Sequence, residues 1–145
     1  MKTIPEDKRK LIDAFLEKPL IARMATADRH ARPHVVPVWY AWDGTTIWIS
    51  SFASTRKVAE LRENPYLSIS IDVAEQNGAT RAVILEGKSE LITEPREFVA
   101  SQSYWIYKRY LGDEGVLAKE PQSWIHDPEN LLIKLTPEDI YTWEF

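Results

Sequence analysis

Apolar positions recur at helical spacing over residues 5–18, where Leu11, Ile12, Phe15 and Leu16 share a face, Pro5 suits a first turn and Pro19 lies just past the end. This helix is expected to pack as a lid over a barrel. The pattern then shifts to runs rich in β-branched and aromatic residues, over 20–27, 34–42 and 46–51. Polar residues 28–32 separate the first two runs, and Asp43-Gly44, a hairpin signal, separates the next pair. The first two runs are apolar at both alternating positions, so each is expected to be covered by protein or ligand on both faces. Helical spacing returns over 54–63, with Ser54 or Thr55 as cap, Val58 and Leu61 inward, and Asn64-Pro65 as the stop. Strands over 66–73 and 81–93 flank the loop around Gln76-Asn77-Gly78. A helix over 95–111, a polar connection over 112–128 carrying Trp124 and His126, and closing strands over 131–135 and 140–143 complete the chain.

Hairpin-linked strands with a few interposed helices predict a mainly β protein with helical additions, built as a small antiparallel barrel in a single domain over residues 1–145. A doubly wound sheet would need regular strand and helix alternation, and no GxGxxG occurs. Composition agrees with such a domain: 145 residues, 44% hydrophobic and 28% charged, are enough to bury a core without staples. The net charge of -4 speaks against general binding to nucleic acid, so any phosphate site must be local. With no cysteine, thiol chemistry and thiolate metal sites are excluded. No apolar run approaches the roughly 20 residues that span a bilayer, and the amino terminus lacks an apolar leader core, so the expectation is a cytoplasmic protein without a membrane partner.

Candidate chemistry is concentrated in two places. Ser54-Thr55-Arg56-Lys57 puts two cations in the first turn of a helix, where the macrodipole favours negative charge. A phosphate held by the helix-terminal N–H groups, the two hydroxyls and the two cations would offset that cost; solvated surface side chains are the competing reading. Pro37 interrupts the apolar run Val35-Val36-Pro37-Val38-Trp39-Tyr40. A proline cannot donate to a ladder, so this strand must lie along an edge or a ligand, with Trp39 or Tyr40 placed to shield a planar ring. Six tryptophans and six tyrosines supply contact area suited to interfaces and planar ligands, or to a ring-rich core. The three histidines show no ligand spacing, so no metal site is expected, and no residue is singled out as catalytic.

The succession Arg23-Met24-Ala25-Thr26, Arg32-Pro33-His34-Val35-Val36-Pro37-Val38-Trp39, Ser54-Thr55-Arg56-Lys57 with Leu61 and Asn64-Pro65, and Leu85-Glu86-Gly87 resembles the pyridoxamine 5′-phosphate oxidase-like superfamily of split barrels. The resemblance covers nearly the whole chain. It implies a homodimer with cofactor sites at the subunit interface and FMN as cofactor. Arg56 and Lys57, beside Ser54, would hold the FMN phosphate; Val36, Pro37, Val38 and Trp39 would line the isoalloxazine; Ser50 and Ser51 would lie beside the ribityl phosphate chain. Trp143 is the aromatic residue expected near the ring. The implied activity is hydride transfer between flavin and a small-molecule substrate. Relatives using a deazaflavin coenzyme fit Glu86-Gly87 and Tyr110-Leu111-Gly112 comparably, with Arg23, Arg32 and Lys88 as further cations for its acidic tail. A flavin or haem carrier without turnover is the remaining alternative. The ending Tyr141-Thr142-Trp143-Glu144-Phe145, where true pyridoxamine phosphate oxidases carry an Arg-Leu-x-Pro type of segment, speaks against vitamin B6 oxidation.

Overall fold

The computed structural model describes residues 4–145. Helix α1 (Glu6–Leu16) starts after Pro5, whose extended backbone sets the entry, and buries Ile12, Phe15 and Leu16. Leu11, expected on the same face, is 54% exposed, because the i, i+3, i+4 stripe is already complete without it. Strands β1 (Ala22–Ala27), β2 (Pro33–Val38), β3 (Ala41–Trp42) and β4 (Ile47–Phe52) precede α2 (Arg56–Glu63). Then come β5 (Tyr66–Ala74), β6 (Thr80–Lys88), β7 (Glu90–Ile92), α3 (Arg96–Gly115), α4 (Lys119–Ile125), β8 (Asn130–Leu135) and β9 (Asp139–Trp143).

Every ladder is antiparallel. The strands form a five-stranded sheet, β2-β1-β5-β6-β9, and a four-stranded sheet, β3-β4-β8-β7. Among the described residues no ladder joins the two, so the expected barrel is realised as two antiparallel sheets that share one core. Met24, Ile69, Ile71 and Leu85 from one sheet meet Ile47, Ile49, Leu131 and Ile133 from the other, with Ile12, Phe15, Val58 and Leu61 of α1 and α2 in the same cluster. Helix α3 lies outside: Val99 and Ile106 pack with Ala41, Trp48 and Leu132 of the four-stranded sheet.

Two runs that read as single strands are each divided between the sheets. The first, 34–42, breaks at Trp39-Tyr40. Tyr40 is fully buried, and side chains of α3 take over its backbone: its N–H donates to the Tyr110 hydroxyl and its carbonyl accepts from Arg109. The second, 81–93, breaks at Ser89, whose N–H and hydroxyl both donate to the Pro65 carbonyl. Residues satisfied in this way no longer need a ladder, so the chain can change sheets. The expected polar connection at 112–128 contains α4, which buries Pro121 and Ile125. Two apolar residues four apart are too faint a signal to show in the sequence pattern.

Gly87 lies where the β8–β9 turn crosses β6. A Cβ there would meet the backbone N of Glu138 at 3.0 Å and Leu135 Cδ1 at 3.2 Å, closer than ordinary contact. Strand β2 is an edge, which explains how Pro37 is accommodated. Only one face of the five-stranded sheet is covered within the chain: Val35, Tyr141 and Trp143 on the other face are 61%, 50% and 54% exposed.

Helix α1 has no basic residue in its last turn. Arg109 of α3 supplies one instead, donating to the carbonyls of Glu17 at 2.7 Å, Lys18 at 3.1 Å and Leu16 at 3.3 Å while bonded to Tyr40 at 2.9 Å. It satisfies carbonyls that a helix end leaves unpaired and opposes the dipole there. Arg109→Met is expected to lower stability by about 2–3 kcal/mol, because several charge-assisted bonds vanish together. Urea unfolding should show this as a lower midpoint with unchanged slope. Arg109→Lys should recover only part of the loss, since an ammonium cannot span the same fan of carbonyls.

Candidate functional site

The break after β2, the middle of β4, the first turn of α2 and one face of α3 enclose a cleft of about 390 Å³. Its walls are Ile21, Pro37, Val38, Trp39, Ser50, Lys57, Ile106 and Tyr107. That size falls within the range of small-molecule sites, and the lining has their usual character, mostly apolar and aromatic with a few convergent polar groups.

The polar end of the cleft is the start of α2. Thr55 occupies the N-cap position with an extended backbone, yet makes no side-chain cap bond. Its hydroxyl turns back to the Phe52 carbonyl at 2.9 Å and lies 3.1 Å from the Ser51 hydroxyl. The first-turn N–H groups therefore lack a side-chain acceptor, and no acidic residue sits in that turn. Such an end attracts an anion. Lys57 is half-buried beside it, and burial pushes its ammonium pKa below the usual 10.5.

The aromatic wall is organised from α3. Trp39 stacks on Tyr110 with ring centroids 4.6 Å apart and planes 5° from parallel, and meets Tyr107 edge-on at 5.9 Å. Tyr40, one of two candidates for shielding a ligand ring, is in the core and does not reach the cleft. The Tyr107 hydroxyl donates to Ser50 Oγ at 3.3 Å, and burial raises its pKa.

The candidate residues divide. Pro37, Val38, Trp39, Ser50 and Lys57 converge on the cleft. Val36 packs against the core on the same face of β2 as Val38 but is not among the residues lining the cleft, and Ser51 is buried behind Thr55. Ser54 is exposed and is not among the residues lining the cleft. Arg56 leaves the helix on a different side from Lys57, as neighbours about 100° apart must. It faces a separate polar pocket with Asp28, Arg29, His30, Arg32 and Glu63, and its Nε lies 3.4 Å from Glu60 Oε1. Glu60 is buried and also accepts from His34 Nδ1 at 2.8 Å, while its other oxygen has no partner. Trp143 lies on β9, at the opposite edge of the five-stranded sheet from β2.

Sequence reasoning missed Ile21, Ile106 and Tyr107. The last two carry a readable signal: Ser103, Ile106, Tyr107 and Tyr110 fall at i, i+3, i+4 and i+7, one face of α3. Which face meets the cleft depends on docking. No three His, Asp or Glu side chains converge as a metal site among the described residues, and none of the three histidines lines the cleft. No helix among the described residues is long and apolar enough to cross a membrane.

Solved structures with this fold include a conserved hypothetical protein from Mycobacterium tuberculosis, with 23% identity, TM-score 0.78 and coverage of 97% of this chain and 85% of that one. An F420 reductase gives 22% identity and TM-score 0.71 over 89% of this chain and 94% of its own. The haem storage protein HutZ from Vibrio cholerae gives 17% identity and TM-score 0.71 over 91% and 92%. At these identities the likeness is one of fold. A comparison with curated proteins found no match. The family model described as pyridoxamine 5′-phosphate oxidase matches residues 9–144, and with two antiparallel sheets and an anion-attracting helix end at a ring-sized cleft, the chain belongs to that family.

Proposed function

We propose that the cleft binds FMN and that the protein is a homodimeric oxidoreductase passing a hydride between the flavin and a small, planar substrate. The observation that carries this reading is the convergence of Pro37, Val38, Trp39, Ser50 and Lys57 on one cleft at the uncapped start of α2. Lys57 and the first-turn N–H groups would hold the phosphate. The backbone and rings of Pro37 to Trp39, with Ile106, would cover the isoalloxazine and exclude water, and Ser50 would bond the ligand between them. Bound FMN supplies the redox chemistry, and the protein contributes position and electrostatics.

Two of the cations considered for the acidic tail of a deazaflavin coenzyme are engaged within the chain: Arg23 with Asp72 at 2.6 Å and Arg32 with Asp28 at 3.1 Å. That favours FMN. A haem carrier finds no histidine in the cleft. The dimer reading rests on the uncovered face of the five-stranded sheet, where Val35, Tyr141 and Trp143 stand exposed. Pairing of two copies through this face would carry Trp143 towards the partner's ring.

The absorption spectrum of the purified protein separates flavin, deazaflavin and haem directly, and a haem or deazaflavin spectrum would overturn the FMN reading. Lys57→Ala is expected to weaken FMN binding by about 1.5–3 kcal/mol, on the order of 10- to 100-fold, while leaving riboflavin, which lacks the phosphate, nearly unchanged. Arg56→Ala should weaken FMN in the same sense but less, because its guanidinium already bonds Glu60 and must turn to reach the cleft. Titration calorimetry that found no loss in Lys57→Ala would remove the phosphate assignment.

The lowered pKa of Lys57 has a further consequence. Burial disfavours its charged form, and a phosphate beside it restores that form, so binding takes up a proton once the free lysine has begun to lose its own. FMN affinity should therefore fall as pH rises through the lowered value, at a pH below 10.5. Riboflavin titrated over the same range is the reference, and Lys57→Arg should abolish the difference between the two ligands.

Trp143 is 54% exposed, so it is not part of the core of its own chain. Trp143→Phe should leave the thermal midpoint nearly unchanged but alter flavin affinity and bound-flavin fluorescence. Unchanged binding and emission would withdraw Trp143 from the site.

A further inference from the structure

Behind the cleft, Ser50, Ser103, Tyr107 and Asn130 form a polar network whose hydrogen-bond directions can be read. Asn130 is 1% exposed, and its side-chain Nδ2 lies 3.0 Å from the Ile125 carbonyl. A carbonyl can only accept, so the amide must present Nδ2 there; the flipped amide would set two acceptors against each other. The second Nδ2 hydrogen goes to Ser103 Oγ at 2.9 Å. Oδ1 then faces Ser50 Oγ at 2.6 Å, and Ser50 must donate to it. The single Ser50 hydrogen is thereby spent on the side away from the cleft. Its lone pairs face Ser103 Oγ and the Tyr107 hydroxyl, both at 3.3 Å, which is long for O–H···O.

We infer that Asn130 is a positioning residue that locks the Ser50 hydroxyl as a hydrogen-bond acceptor towards the cleft, so that the site selects ligands presenting an N–H or O–H group at that point. The inference rests on the flavin reading for the ligand but not for the network. The weak bond from Tyr107 is the one a ligand donor displaces, which frees the Tyr107 hydroxyl to donate to the ligand in turn. A ligand offering only acceptors at Ser50 would leave a buried pair of facing lone pairs, which is costly.

The network is tested first in the wild-type protein without ligand. NMR should show both Asn130 side-chain amide protons protected from solvent exchange, with a coupling across the hydrogen bond from Nδ2 to the Ile125 carbonyl carbon. Rapid exchange without that coupling overturns the inference. Binding is tested with riboflavin, which keeps the N–H and O–H groups of the ligand without its phosphate. Ser50→Ala and Asn130→Leu, which removes the acceptor for the Ser50 hydrogen, should each weaken it by roughly 3- to 10-fold. The double variant should bind no more weakly than Ser50→Ala alone, because Asn130 acts through Ser50. Additive losses would show that Asn130 acts independently and would overturn the positioning role. If Asn130→Leu does not fold, Asn130→Asp, whose carboxylate still accepts from Ser50, takes its place with the opposite expectation: riboflavin affinity close to that of the wild type, a loss as large as that of Ser50→Ala overturning the inference. A wild-type protein that binds neither riboflavin nor FMN overturns the flavin reading, and the inference then stands or falls on the amide protons.

Discussion

The docking of α3 against the outside of the four-stranded sheet is the constraint on which the rest depends, and Arg109 and Tyr110 are what fix it. Arg109 gathers the last carbonyls of α1 and the Tyr40 carbonyl, and the Tyr110 hydroxyl donates to Leu20 at 2.6 Å while accepting from Tyr40. Three segments distant in sequence are tied at one point. There β2 must end, since the backbone of Tyr40 is occupied by side chains. The chain leaves the ladder after Val38, and Pro37, Val38 and Trp39, at this end of the edge strand, line the cleft. The same helix then supplies the far wall through Ile106 and Tyr107. The cleft thus follows from how one helix end is satisfied, and its apolar lining lies next to the second, smaller core beneath α3.

Charge is arranged around that cleft by separation. Arg56 and Lys57 are adjacent in sequence, but the helix turns them to different sides. Arg56 is held by Glu60, which is buried against His34 and Thr26; Lys57 makes no ion pair among the described residues and is instead partly desolvated. A desolvated ammonium beside an uncapped helix end is unfavourable in the absence of an anion and favourable with one. That contrast in environment, more than the number of cations, distinguishes this place from the exposed pairs Arg23–Asp72 and Arg32–Asp28 elsewhere on the surface.

The helical lid, the edge strand announced by Pro37, the short helix carrying Arg56 and Lys57, and the antiparallel arrangement were all legible along the chain. Each rests on a local rule: periodicity, the missing N–H of proline, or turn residues. The strands broken at Trp39-Tyr40 and Ser89 were not legible, because the groups that replace the ladder come from residues far away, Tyr110 and Arg109 in one case and Pro65 in the other. Helix α4 escaped notice for want of a long enough apolar period.

The sequence by itself determined the main element types, the adjacent pair of basic residues Arg56 and Lys57 at a helix start and the aromatic supply, because these depend on neighbours within one turn or one strand. Only the tertiary structure decided which of those residues meet. It turned Lys57 towards the cleft and Arg56 away, placed Trp143 on the far edge of the sheet, and brought Ser50, Ser103, Tyr107 and Asn130 into one network. The physical reason is that side-chain direction depends on how a helix is rotated as it docks and how two sheets face each other. Long-range contacts such as those of Arg109 fix both, and no local spacing encodes them.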